Sequence, residues 1–180
     1  MTDRFEDLTE NDKRRLCDSL TNRRISLFLG SGVSLDSEGA TGRMRSAGQL
    51  REELVSINQL PQNASLQQAY SLMTPDQIHT SITEHYTCIS DGQTVERLAK
   101  QPWRRVYTLN VDNCFEFAFR KVIEQYEFDV DSLETFNFCD GYSELLSDKR
   151  CSVIHLHGVV ERAEDGYVFS RDEYAQSIQR

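Results

Sequence analysis

The sequence predicts an α/β fold, a parallel sheet flanked by helices, on three observations. Short apolar runs at 25–29, 105–109 and 152–156 are rich in β-branched residues and apolar on both parities, the pattern of parallel strands covered on both faces. Helical patterns separate these runs, so strand and helix alternate with right-handed crossovers. Several helix starts carry Ser or Thr followed three residues later by an acid or amide, the spacing that satisfies free N–H groups of a first turn.

Taken in order, Thr9 with Asp12 opens a helix over about 9–22, with Leu16 and Leu20 as its apolar contacts. The first strand follows at 25–29, and 37–45 (SEGATGRMR) reads as a glycine-containing loop. Ser46 with Gln49 starts a second helix that places Leu50, Leu54 and Ile57 on one face, and 60–63 reads as a linker-like break. Thr74, Pro75 and Gln77 make the sharpest start, because proline suits the first helical position; Ile78, Ile82 and Tyr86 then share a face. Val95, Leu98 and Ala99 mark a short helix that ends before Pro102, and Trp103 packs the entry to the second strand. A fifth helix runs from about 113 to 125 with Phe115, Ala118, Phe119 and Val122 inward. Ser170 with Glu173 begins a last helix after the third strand.

The 180 residues suit one domain, 1–180, with a proper core. Twenty Lys+Arg against 29 Asp+Glu leave a net charge of −9, which argues against direct nucleic-acid binding, since that needs a basic face. The best apolar run is five residues long, against roughly 20 for a membrane span, and the N-terminus has no apolar signal core. A cytoplasmic protein without membrane contact is expected. Five widely spaced cysteines with no C-x-x-C read as reduced, structurally buried thiols.

Ligands of open parallel sheets bind beyond the carboxyl ends of the strands, so the residues after each strand are the informative ones. These are Gly30-Ser31-Gly32-Val33-Ser34, Asn110-Val111-Asp112, and His157-Gly158. Gly30 and Gly32 allow a tight turn and close approach of a phosphate to main-chain N–H groups, or simply a strand-to-loop turn. The third glycine of a dinucleotide fingerprint would be residue 35, which is Leu35, and this disfavours an ordinary dehydrogenase. Asp112 taken singly reads first as the N-cap of the following helix. Asn110, a polar amide directly after an apolar strand, needs partners that a ligand could supply. His155 and His157 alternate on one strand face. No further His or Cys cluster supports a zinc site there, and His155 reads as a satisfied core histidine. His157, at the strand end, is placed to accept a proton from a ligand hydroxyl. His79 and His85 carry no evident chemistry.

Together the three clusters resemble the sirtuin family. FLGSGVS is similar to its glycine loop, YTLNVD to its T-Q-N-x-D segment, and VIHLHG to the strand that ends in its catalytic His-Gly, in the same order. The resemblance implies a Rossmann-like fold that binds NAD as a consumed substrate. It implies that Gly30, Ser31, Gly32 and Ser34 line the phosphates and adjacent ribose, and that Asp112 holds the carboxamide. Asn110 would contact the nicotinamide ribose and position water, and His157 would act as general base. Deacylating sirtuins carry a zinc module built on two C-x-x-C pairs after the His-Gly; here no cysteine follows Cys151, so no metal is expected. The G-I-P-D-F-R loop is not reproduced, and Arg43 and Arg45 receive no role.

What remains is similar to sirtuin-like NAD hydrolases of bacterial antiphage defence, which implies an NAD glycohydrolase effector of abortive infection. Such an effector is expected to work as a homo-oligomer or with a sensor domain or protein. Two other readings stand beside it: a non-catalytic module that binds NAD or ADP-ribose, and an NAD-dependent protein deacylase. Only 22 residues follow Gly158, where the resembled fold continues with further strands. The chain is therefore expected to be the N-terminal part of a longer, C-terminally extended protein.

Overall fold

A computed structural model describes residues 8–126, 132–140, 151–169, 173 and 175. Thr9 caps α1 (Glu10–Thr21) by accepting the Asp12 N–H at 3.2 Å. β1 (Ser26–Leu29) runs into a short 3-10 turn, Ser31–Ser34. β2 (Glu38–Gly39) and β3 (Gly42–Arg43) form a hairpin where the sequence predicts a plain loop. Ser46 and Gln49, Ser65 and Gln68, and Thr74 and Gln77 each form a complete capping box. They open α2 (Ala47–Ile57), α3 (Leu66–Tyr70) and α4 (Pro75–Tyr86) in turn. Beyond them lie β4 (Cys88–Ser90), α5 (Gln93–Ala99), β5 (Arg105–Thr108), α6 (Cys114–Gln125), β6 (Leu133–Asn137) and β7 (Cys151–His155). A second 3-10 stretch, Val160–Asp165, follows. Of the predicted helix at Ser170, only residues 173 and 175 are described, and both are helical.

The main sheet is four-stranded and parallel, in the order β1-β5-β7-β6. Its register pairs Leu29 with Thr108, Thr108 with His155, and Asn137 with His155, so the carboxyl ends lie level. That alignment brings the residues after β1, β5 and β7 to one rim. The fold is the predicted α/β, Rossmann-like arrangement, with β6 added at the edge and a small antiparallel sheet, β3-β2-β4, beside it.

Leu29, Val106, Cys151 and Val153 on one sheet face share a buried cluster with Leu50, Leu54, Val95, Phe115 and Ala118 from the helices. Every residue of β7 is buried, as a central strand requires. Cover on both faces does not extend to β1: it is an edge strand, and Phe28 is 62% exposed. The predicted inward contacts of α1 also fail, because that helix has no buried residue and Leu16 is exposed. Ile57 is exposed too, and Val55 takes the inward place with Leu50 and Leu54. Cys88, Cys114 and Cys151 are buried free thiols, but Cys17 is exposed and Cys139 half-buried. Trp103 donates its indole N–H to the Leu98 carbonyl at 2.7 Å, which ties the end of α5 to the entry of β5.

Candidate active site

β5 ends one residue short of the predicted strand, and the chain turns at Leu109-Asn110. Asn110 is 7% exposed, and its neighbours hold nearly every polar atom it has. Its N–H donates to Thr108 Oγ1 at 2.9 Å, and its carbonyl oxygen lies 2.9 Å from His155 Nδ1. Its Nδ2 donates to the Gly30 carbonyl at 3.3 Å and to Ser34 Oγ at 3.2 Å. A carbonyl only accepts, so the Gly30 contact fixes which end of the amide faces it. The remaining atom, Oδ1, is buried with no partner among the described residues. Buried polar atoms are rarely left this way, and one at a ligand-binding rim calls for a donor from outside the protein.

Ser34 and Asp112 form the support beneath it. Ser34, 2% exposed, donates its hydroxyl to Asp112 Oδ1 at 3.0 Å while accepting from Asn110, so the hydroxyl bridges the two loops. Asp112 Oδ1 also accepts the Cys114 N–H at 3.1 Å and thereby caps the first turn of α6 from one residue before its Asn113 boundary. Burial pushes the Asp112 carboxyl above the ordinary carboxylate range, against the pull of the hydrogen bonds from Cys114 and Ser34.

Gly30 and Gly32 need no special conformation. Gly30 is extended at φ −121°, and a Cβ at either position would meet nothing within 4 Å. The tight turn therefore does not require these glycines, and the open space beside their backbone is available to a ligand. Gly158 is the opposite case: φ is +96°, and a Cβ would stand 2.7 Å from the Gly166 carbonyl oxygen and 2.9 Å from the Tyr167 ring. This tight crossing, with the Val168 N–H donating to the His157 carbonyl at 3.0 Å, fixes the backbone of His157 at the end of β7.

The His157 ring is half-buried and meets Phe169 edge-on, with centroids 6.4 Å apart. Burial lowers its pKa below the ordinary value, which keeps the imidazole neutral and able to accept a proton near neutral pH. His157, Asn110, Gly30 and Ser31 line one cavity of about 810 Å³, together with Ala47, Leu66 and Phe169. A volume of that order suits a small-molecule site. An inner recess of about 70 Å³ shares its Ser31 and Asn110 wall and adds Arg45, Tyr86 and Asp112. Six of the seven residues expected at the site thus meet across two loops and one strand end: Gly30, Ser31, Asn110, His157 and Asp112 at the cavities, and Ser34 beneath them. Gly32 stands on the same turn without lining either cavity.

Residues 104–180 match the family model described as the SIR2-like domain. This stretch is similar to SIR2-like domains. It holds β5, Asn110, Asp112, α6, β7 and His157, whereas the glycine turn lies upstream of the match. SIR2-like domains use NAD, and the four-stranded parallel sheet flanked by helices suits that family. No curated protein matches the chain significantly. Among the described residues no group of three or more His, Cys, Asp or Glu is arranged to hold a metal ion. Nor is any described helix long and apolar enough to cross a membrane.

Two features of this site escape motif reading. Arg45 lines the inner recess and is ion-paired with Glu53, whose Oε1 lies 3.1 Å from His85 Nε2; His85 Nδ1 in turn meets Thr41 Oγ1 at 2.6 Å. His85, without evident chemistry in sequence, thus ties the β2–β3 hairpin to α2 and α4. Tyr86 shares the recess, its phenol pushed up to about 12 by burial and the nearby Asp112 carboxylate, so it remains a neutral donor. The second feature is a buried pair behind Asn110, Glu116 with His155, whose Nε2 and Oε1 are 2.6 Å apart. The core reading of His155 holds; its partner is legible only as an acid on the inward face of α6, seven residues before Ile123.

Proposed function

We propose that the chain is an NAD glycohydrolase that releases nicotinamide and ADP-ribose. The observation that carries this reading is Asn110, which lines the same cavity as His157 and whose buried Oδ1 has no partner among the described residues. NAD binds as the substrate, its diphosphate against the open backbone of Gly30, Ser31 and Gly32. Ser34 contributes from beneath, by fixing Asn110 and Asp112. Asp112 holds the carboxamide from the inner recess.

The bond from the nicotinamide ring nitrogen to ribose C1′ breaks, and its electron pair returns to the ring nitrogen. The leaving group departs neutral, so no general acid is needed. Positive charge develops on the ribose, and fixed polar groups around it lower the barrier. Asn110 Oδ1 accepts a hydrogen bond from the attacking water, whose oxygen bonds to C1′. His157, neutral because it is half-buried, takes the proton released from that water or from a ribose hydroxyl.

At the level of the cell, the reading is an effector of bacterial antiphage defence that depletes cytoplasmic NAD in abortive infection. It works with a second copy of the chain or with a sensor domain or protein, and this region makes no contact with nucleic acid or membrane. The test is expression of the chain in bacteria with intracellular NAD followed by mass spectrometry. NAD falls with the native sequence and holds steady with Asn110→Ala or His157→Ala. Loss of NAD that persists in both variants would place the chemistry elsewhere.

A further inference from the structure

The Glu116–His155 pair lies directly behind the site, and no step above uses it. Both side chains are 1% exposed. His155 Nδ1 faces the Asn110 carbonyl at 2.9 Å and Nε2 faces Glu116 Oε1 at 2.6 Å. Because a carbonyl only accepts, Nδ1 carries a hydrogen. The second proton is shared between Nε2 and Oε1, and either placement leaves Nδ1–H donating to Asn110. Burial works against a charge on His155, and Glu116 outweighs it, so the imidazole pKa stands above its ordinary value.

A buried ion pair of this kind is often no more stabilising than apolar residues of the same volume, so stability alone does not account for it. Its location does. His155 stands two residues before His157 on β7, and Glu116 four residues after Asp112 at the start of α6. The pair therefore joins the segments that carry Asn110, Asp112 and His157.

We propose that Glu116 and His155 are positioning residues, which hold the Asn110 peptide through the Nδ1–H···O=C bond and so keep the Asn110 side chain in one placement relative to His157. The inference rests on the glycohydrolase reading for its kinetic consequence, but not for its structural one.

Two variants of the full chain test it. Glu116→Gln can donate to Nε2 and leaves Nδ1–H in place. The double variant Glu116→Leu with His155→Phe fills the same volume and removes the bond to Asn110. With folding checked by thermal melting, the double variant is expected to lose about 100-fold in kcat for nicotinamide release, the scale of a misplacement near 1 Å. KM for NAD should stay within about threefold, since the removed contact does not touch the ligand. Glu116→Gln should retain kcat within about tenfold of the native chain. A folded double variant with native kcat overturns the proposal.

A second readout is independent of turnover: the ¹H–¹⁵N resonances of the Asn110 side-chain amide. They should shift in the double variant and stay near native in Glu116→Gln. Coincident resonances in the native chain and the double variant also overturn it. If the native chain releases no nicotinamide, the glycohydrolase reading fails, and the Asn110 resonances alone decide the positioning role.

Discussion

Replacing Asn110 by alanine separates a structural from a functional amide. The substitution removes two hydrogen bonds from Nδ2, to the Gly30 carbonyl and to Ser34 Oγ. Bonds of this kind contribute about 0.5–1.5 kcal/mol each, for a loss of about 1–3 kcal/mol. It also removes the unpartnered Oδ1, and leaving such an atom buried costs about 1–3 kcal/mol. Ser34 keeps its bond to Asp112, so no new orphan hydroxyl arises. The two effects offset, and the net change is at most about 2 kcal/mol in either direction, or roughly 4–8 °C in Tm for a domain of this size. Loss of one preorganised polar group at a reacting centre, by contrast, costs about 100- to 1,000-fold in kcat. Differential scanning fluorimetry beside chromatographic assay of nicotinamide reads both quantities on one preparation. A fall in Tm of more than about 10 °C, with native kcat in the folded fraction, would show that Asn110 is a structural residue only.

Other consequences can be checked with the same assays. His157 has a lowered pKa, so it is protonated, and useless as a base, only at pH below its ordinary value of about 6.5. The acid limb of kcat/KM should therefore fall below that pH, and an acid limb above it would contradict the assignment. The same shift adds stability that is present above the unfolded pKa and lost as pH falls through the folded one, which thermal melts between pH 7 and pH 5 should register. Gly158→Ala places a Cβ against Gly166 and Tyr167 at positive φ and should cost about 1–3 kcal/mol or more. Gly30→Ala and Gly32→Ala meet nothing and should leave Tm within about 2 °C while raising KM for NAD. Asp112→Asn relieves a buried carboxylate yet retains an acceptor for Ser34 and Cys114; Tm should rise by about 2–4 °C as turnover falls. A lowered Tm would show that the charge itself stabilises the fold.

Much of the frame was legible in the sequence because local chemistry decides it. Ser46 with Gln49 and Thr74 with Gln77 close their own capping boxes, and the runs ending at Leu29, Leu109 and Leu156 are apolar enough to read as strands. Asn110 and His157 were legible for the same reason: each is a polar residue directly after such a run. The third box, Ser65 with Gln68, was equally readable and was hidden by the break before it. Other features depend on distant partners. The exposure of α1 and of Phe28 reflects what lies beside each element rather than its own pattern. The β2–β3 hairpin is held partly by Thr41 against His85, 44 residues away. The Ser34 hydroxyl suits a phosphate contact by motif, yet it points to Asp112, 78 residues on. Glu116 reads only as an acid on the inward face of α6 until β7 places His155 against it.

The most direct test of the central claim is incubation of the purified chain with NAD, with nicotinamide and ADP-ribose quantified together over time. The two products should appear in equal amounts, without any acylated peptide, and that release should be lost in Asn110→Ala and in His157→Ala. Tight binding of NAD with the dinucleotide left intact, or nicotinamide release that requires an acyl-lysine substrate, would contradict that claim.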